Sequence, residues 1–188
     1  HTSLRRYWSS DVCSSDLARD DAFAFCYPAL LEGWRAQGAE VYFFSPLADE
    51  APDPATDAIY LPGGYPELHA GRLANSIAFK RAMTRAAAAN TAIYGECGGY
   101  MVLGRGLVDS DGVRHAMTGL LALETSFAVR RRHLGYRCLR TATASFLGDA
   151  GVRFRGHEFH YASVIDEGPG KRLFDCTDSR GDALAPGG

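Results

Sequence analysis

One cysteine in this chain stands in a setting that predicts nucleophilic chemistry. Cys97 lies between Gly95 and the pair Gly98 and Gly99, directly after the apolar run 91–94. The run predicts a short buried strand, and the glycines permit a tight, strained turn into a helix with the thiol at its apex. We expect the helix N-terminus to favour thiolate over thiol, and the N–H of Gly98 to lie where an oxyanion develops.

A thiol nucleophile needs a partner that accepts its proton and returns it to the leaving group, and imidazole is suited to this near neutral pH. Of the six histidines, the best candidate is His160, in the strand-like segment 156–161. In an extended strand, Glu158 and His160 point to one face, whereas His157 and Phe159 point to the other. Glu158 is therefore our candidate for the residue that orients His160.

Each of these features has a purely structural alternative. A cysteine on a buried strand is most often inert packing, and His157 and His160 on a half-buried strand are by default structural histidines. Gly63 and Gly64 are by default a turn, and only their place after the predicted strand 58–61 gives them a functional reading. The run 130–132, three arginines, is by default a solvated edge.

The surrounding segments predict the elements that must position these residues. Short apolar runs at 41–44, 58–61 and 91–94 read as buried strands, and helical patterns lie between them. Pro28 and Gly38 bracket the first helix, and Asn75 or Ser76 is placed to cap a later one that begins near Ile77.

This order predicts an α/β fold with a mostly parallel sheet and helices on both faces. Because parallel strands end at the same edge, the loop 62–66 and the Cys97 turn should meet there. Period-2 patterns at 126–129, 136–143 and 152–154 predict a partly antiparallel C-terminal portion.

The composition excludes several classes of function. The chain has 188 residues, 46% of them hydrophobic, which is enough for one core. A formal net charge of -2 offers no general attraction to nucleic acid or to an anionic membrane. The sequence shows neither a long apolar run nor a secretory signal, so we expect a cytoplasmic protein. Five scattered cysteines form no C-x-x-C pair, and we predict no metal site.

The two ends are irregular. Residues 1–17 show no helical or strand period and lack an initiating Met, so we expect them to be non-native or disordered, with the domain covering 18–188. The segment 17–20 resembles the end of a strand whose apolar beginning is missing, and the last residues are polar and rich in glycine. Both features indicate a fragment of a longer chain.

Four motifs carry a resemblance to a known family. They occur in the right order and spacing, and the resemblance runs from about Leu17 to the end of the chain. They are the segments 60–69, 95–101, 134–137 and 156–161. Together they resemble the glutamine amidotransferase domain of cobyrinic acid a,c-diamide synthases and of the hydrogenobyrinic acid enzymes.

The resemblance implies a class I glutamine amidotransferase-like, flavodoxin-like three-layer fold. It implies that Cys97 forms a glutamyl thioester, that His160 is the general base and acid, and that the N–H groups of Gly64 and Gly98 form the oxyanion hole. Glutamine is then the substrate, and ammonia passes to a synthetase domain that amidates the a and c acetates of a corrinoid acceptor.

Two departures refine the resemblance. Many class I amidotransferases carry a glutamate two residues after the catalytic histidine, but this position is Ala162, as in cobyrinate-type members. No G-x-x-x-x-G-K-[ST] motif occurs, so ATP and Mg²⁺ are expected in a separate synthetase domain that precedes this one, and no cofactor in this chain. Oligomeric state stays open, a homodimer being one option.

Three rival functions remain at this stage. A cobyric acid synthase or cell-wall amidotransferase would share the glutaminase chemistry, although the segments 65–69 and 157–160 favour the a,c-diamide type. A DJ-1-like cysteine hydrolase would use the same turn without turning over glutamine. A catalytically silent docking module would leave Cys97 unreactive.

Overall fold

The computed structural model describes residues 13–184, which form three β-sheets and four α-helices. The first sheet is entirely parallel, with the strand order β2-β1-β3-β4. The strands formed by the apolar runs 58–61 and 91–94 are buried or half-buried, whereas the strand at 40–44 is largely exposed. The strands are β1 (Ser14–Ala18), β2 (Glu40–Phe44), β3 (Ala58–Leu61) and β4 (Ala92–Gly95).

The helices follow strands of this sheet. They are α1 (Pro28–Ala36), α2 (Ala70–Asn75), α3 (Ile77–Ala88) and α4 (Gly98–Leu103). Pro28 opens α1, and Gly38, at φ 91°, follows its end, as the sequence predicts. Ser76 precedes α3, but its hydroxyl donates to the carbonyl of Arg72 and does not cap the helix. The side-chain cap predicted at this position is therefore wrong.

The C-terminal half forms the other two sheets, which are mainly antiparallel. One has the order β10-β7-β5-β6 and the other β11-β8-β9. Their strands are β5 (Gly106–Val108), β6 (Arg114–Ala116), β7 (Leu123–Ser126), β8 (His133–Thr141), β9 (Arg153–His160), β10 (Ser163–Glu167) and β11 (Phe174–Asp178). The predicted α/β class with a partly antiparallel C-terminal portion is confirmed.

Two predicted strand boundaries differ from the structure. The strand predicted at 126–129 ends at Ser126 as β7, where the Ser126 hydroxyl accepts a hydrogen bond from the Ala128 N–H and forms a local turn. At the other end, β1 begins at Ser14 and pairs with both β2 and β3, so the ordered chain starts before position 18. The rest of the segment predicted to be non-native, residues 1–12, lies outside the described residues.

The main core packs α3 and α4 against the parallel sheet. Leu17, Ile59 and Leu61 of the strands and Phe79 and Met83 of α3 are almost fully buried. Burial of each such side chain stabilises the fold by about 1.5–3 kcal/mol. This packing holds the ends of β3 and β4, from which the two glycine loops emerge. Within residues 13–184, every helix is too short or too polar to cross a membrane.

Candidate active site

Cys97 occupies a strained turn between β4 and α4. Its backbone lies at φ 49° and ψ -114°, a region that non-glycine residues rarely adopt. Gly99 permits the turn, since a Cβ atom there would collide with the backbone carbonyl of Leu61 on β3. The turn is closed by a bond from the Gly99 N–H to the carbonyl of Glu96, 2.8 Å. The elbow predicted from the glycines is present in the structure.

The loop after β3 lies directly against this turn. Leu61 and Gly95 are register partners at the ends of β3 and β4, so both loops leave the same edge of the sheet. A Cβ built on Gly63 would lie 3.1 Å from the Cβ of Cys97, which shows how closely the two loops approach. Phe25 contacts this loop from the segment after β1, and its N–H donates to the Gly63 carbonyl at 2.9 Å.

Two opposing effects set the protonation of the Cys97 thiol. Burial raises its pKa, and the Glu96 carboxylate raises it further. The backbone N–H groups of Gly98 and Gly64 lower the pKa, but the net pKa remains above its ordinary value. The N–H of Gly98 at the helix N-terminus favours the thiolate, as expected from the sequence. Desolvation nevertheless outweighs this N–H and that of Gly64 in the neighbouring loop, so the pKa is raised overall.

Cys97 opens onto a large cavity of about 890 Å³, within the range of small-molecule sites. Its thiol is exposed to this space although protein surrounds it closely enough to desolvate it. Most of the lining is aromatic or aliphatic, and its polar members include Asp57, Glu96, Arg155 and His157. Two other cavities, of about 450 and 430 Å³, contain no residue of the Cys97 turn.

His160 and Glu158 contact one another, as their shared face predicts. Nε2 of His160 lies 2.7 Å from a carboxylate oxygen of Glu158, and Nδ1 lies 2.9 Å from the carbonyl oxygen of Ala162. Burial raises the pKa of Glu158, but bonds from His160 and Arg137 outweigh it and the pKa is lowered overall. Glu158 is thus an ionised acceptor near neutral pH, and both groups that face the ring nitrogens of His160, its carboxylate and the Ala162 carbonyl, are acceptors.

The His160 ring and the Cys97 thiol are not hydrogen-bonded to each other in the described part of the chain. The polar atom in contact with the sulfur from this segment is the carbonyl oxygen of Phe159, at 3.9 Å. Among the hydrogen bonds of residues 13–184 there is none between the thiol and the His160 ring. The catalytic roles of Cys97, His160, Gly64 and Gly98 stay predictions.

Sequence reasoning assigned no role to two residues that contact this histidine cluster. The Arg137 guanidinium bonds the second oxygen of Glu158, with Nε at 2.8 Å. The imidazole of His133 stacks on that of His160, with 4.7 Å between ring centroids and 15° between planes. The pairing of β8 with β9 is what brings His133 to this cluster, because it places His133 opposite His160. That register cannot be read from either strand alone.

Solved structures show the same fold. The chain resembles the structure of PurLQS from Thermotoga maritima with a TM-score of 0.57 and 13% identity, covering 94% of this chain and 87% of that one. A crystal structure of a glutamine amidotransferase matches with a TM-score of 0.55 and 18% identity, over 86% and 79% of the two chains. At these identities the likeness shows the fold alone.

Sequence relatives are much more similar. The chain is 59% identical over 169 residues to a hydrogenobyrinate a,c-diamide synthase of Rhizobium meliloti (strain 1021), covering 88% of this chain and 38% of the relative. It is 57% identical over 174 residues to the enzyme of that name from Brucella abortus biovar 1 (strain 9-941), covering 92% and 39%. The chain therefore spans less than half the length of these relatives.

The family comparison covers most of the chain. The profile of the CobB/CobQ-like glutamine amidotransferase domain matches residues 16–185, from β1 past the end of β11. This range contains the Cys97 turn, the Gly63-Gly64 loop and the histidine cluster. The chain belongs to the CobB/CobQ-like glutamine amidotransferase family.

Proposed function

We propose that this chain is the glutaminase unit of a hydrogenobyrinate or cobyrinate a,c-diamide synthase. Cys97 is the nucleophile, the N–H groups of Gly64 and Gly98 form the oxyanion hole, and glutamine is the substrate. The observation that carries the proposal is the strained Cys97 turn packed against the Gly63-Gly64 loop, where a Cβ on Gly98 would lie 3.1 Å from the Gly64 nitrogen and the N–H groups of both glycines lower the thiol pKa. Those donors lie beside the atom that attacks, where an oxyanion would form.

The chemistry divides into two steps. The Cys97 sulfur attacks the side-chain amide carbon of glutamine, the C–N bond breaks, and ammonia leaves with the proton that the thiol has given up. Water then attacks the glutamyl thioester, releases glutamate and restores the thiol. The raised pKa of Cys97 makes a base necessary, because little thiolate exists near neutral pH.

We assign this base to His160. In the structure its ring contacts Glu158, so the ring must move before it can accept the thiol proton. As a base, His160 must have Nε2 free of its proton and turned from Glu158 toward the thiol. Glu158 then accepts the ring again after the proton has been transferred.

The ammonia would pass to an ATP- and Mg²⁺-dependent synthetase that amidates the a and c acetate groups of the corrinoid. This part of the proposal rests on the names of the relatives, of which this chain spans 38–39%. The proposal also places the chain in the cytoplasm, where glutamine and ATP are available. The same names favour this acceptor over those of a cobyric acid synthase or a cell-wall enzyme.

A glutamine analogue carrying a diazo-ketone tests the nucleophile directly. We expect one label per chain, on the peptide that contains Cys97, and none on exposed Cys138. The Cys97→Ser variant should remain unlabelled, whereas Cys138→Ser should label like the parent chain. Label on another cysteine, or none when a synthetase partner is added, would refute the proposal.

The rival functions give different results in companion assays. A DJ-1-like hydrolase would release neither glutamate nor ammonia from glutamine and would form no glutamyl thioester. A silent docking module would leave Cys97 unmodified by any electrophile. Trapping the thioester with radiolabelled glutamine in acid therefore separates the proposal from both.

A further inference from the structure

Three side chains at the β8–β9 edge form a cluster of metal-binding type. One ligand atom from each of His133, Glu158 and His160 lies within 4.8 Å of the other two. All three residues are half-buried, so solvent reaches them but the surrounding strands restrict their movement. The cluster uses the opposite face of β9 from Phe159 and His157, which line the Cys97 cavity.

The donor set points to a borderline transition metal. Two imidazoles and one carboxylate are a ligand set that zinc sites use, with a fourth position left for water. Calcium and magnesium favour oxygen ligands and would gain little from two histidines. The cluster comes from cross-strand pairing, because β8 places His133 opposite His160 and Glu158 lies two residues before it on the same face.

Binding requires small local changes. The two imidazoles now lie nearly parallel, so at least one ring must turn for both lone pairs to face a shared ion. The ion would replace the Nε2 proton of His160, which leaves to solvent, and would take the Glu158 oxygen that this proton now contacts. The second Glu158 oxygen keeps its bond to Arg137.

Arg137 has two opposite effects on such a site. Its guanidinium orients the Glu158 carboxylate, as partners of metal ligands commonly do. Its positive charge also repels a divalent cation from the same carboxylate. Replacing Arg137 should therefore change the affinity of the site for a divalent metal ion while leaving all three metal ligands in place.

We propose that His133, Glu158 and His160 form a binding site for Zn²⁺ or a similar transition metal. Binding there would hold the His160 ring at the β8–β9 edge. This metal site is inferred from the positions of the three side chains alone and does not depend on the proposed glutaminase function.

Calorimetric titration with Zn²⁺ and absorption spectra with Co²⁺ test the site in the 188-residue chain. The chain should carry Cys97→Ser and be kept in a non-thiol reductant, so that the reactive thiol does not bind the metal. We expect one site, with Co²⁺ bands in the visible range and no sulfur charge-transfer band. His133→Ala and His160→Ala should each weaken Zn²⁺ binding by at least about tenfold.

Control variants test whether Zn²⁺ binding is specific to these three residues. His157→Ala removes a histidine from the opposite face of the same strand, and His115→Ala removes one whose ring lies 2.7 Å from Asp109. Both should bind Zn²⁺ like the parent chain, and Arg137→Gln, which keeps all three ligands, should still bind one Zn²⁺ per chain. Circular dichroism verifies that each variant is folded.

Two outcomes would overturn the proposal. One is an affinity that His133→Ala leaves unchanged in a folded chain. The other is a Co²⁺ spectrum dominated by sulfur charge transfer, which would assign the metal to cysteines. Because the readout is metal binding, a failure here leaves the labelling test of Cys97 unaffected, and the reverse also holds.

Discussion

The carbonyl oxygen of Ala162 lies 2.9 Å from Nδ1 of His160. The side chain at position 162 is a methyl group, so the acceptor at this ring nitrogen is a backbone carbonyl and not a carboxylate. The other ring nitrogen faces Glu158, which is held by Arg137. His160 is thus fixed on both sides without a glutamate at position 162.

Replacing His160 tests its role as the general base. If it transfers the thiol proton, His160→Ala should lower glutaminase turnover by about 100- to 10,000-fold and leave substrate KM little changed. His157→Ala, from the same strand, is the comparison variant. If His157→Ala lowers glutaminase turnover more than His160→Ala does, the general base is His157, which lines the cavity, and not His160.

Glu158 should orient His160, and Glu158→Ala is expected to reduce turnover by freeing the ring. Steady-state kinetics over a pH series measures the effect. An unchanged rate would exclude the orienting role. Arg137→Gln, which leaves the carboxylate in place, should reduce turnover less.

Glu158 should also make stability depend on pH. Its pKa is lowered in the folded chain, so its ion pairs stabilise the fold above the ordinary glutamate pKa of about 4.3. This contribution should be lost as pH falls through the lowered folded value. In urea unfolding, the difference in free energy between the parent chain and Glu158→Gln should shrink between about pH 6 and pH 3. Glu32→Gln, on the exposed side of α1, is the control.

The thiol of Cys97 should titrate above a free cysteine. Because burial raises its pKa, alkylation by iodoacetamide should reach half its maximal rate above about pH 8.5. Mass spectrometry of the Cys97 peptide measures this rate, with the peptide of exposed Cys138 as a reference within each sample. A midpoint below that of free cysteine would mean that the N–H groups of Gly64 and Gly98 outweigh desolvation.

Gly99 should tolerate no side chain. A Cβ there would collide with the Leu61 carbonyl, so Gly99→Ala must displace α4 from β3 and should cost at least about 1–3 kcal/mol in unfolding free energy. Gly33→Ala is the matched control, since nothing lies within 4 Å of its Cβ position in α1. That change should stabilise the chain by about 0.5–1 kcal/mol. Equal effects in urea unfolding would contradict this account of the turn.

The parts that follow local rules could be predicted from the sequence. Pro28 and Gly38 bracket a helix because of their own backbone preferences, and the glycines around Cys97 indicate a turn for the same reason. Parallel strand order then brings Gly63 to Cys97. These steps need no knowledge of distant contacts.

The remainder depends on cross-strand pairing and on competing energies. His133 joins the histidine cluster only through the β8–β9 register, which neither strand reveals alone. The direction of the Cys97 pKa shift depends on whether desolvation outweighs the effect of two backbone N–H groups. The predicted strand at 126–129 ends early because the Ser126 hydroxyl bonds the Ala128 N–H, a local competition that the period-2 pattern does not reveal.

The backbone of Cys97, at φ 49°, implies a trade between reactivity and robustness. A non-glycine residue in such a conformation costs about 1–3 kcal/mol, which the surrounding packing must offset. A Cys97→Gly chain should therefore resist denaturation better than its parent while having no nucleophile. Selection for a durable protein and selection for a working one would favour different residues at this position.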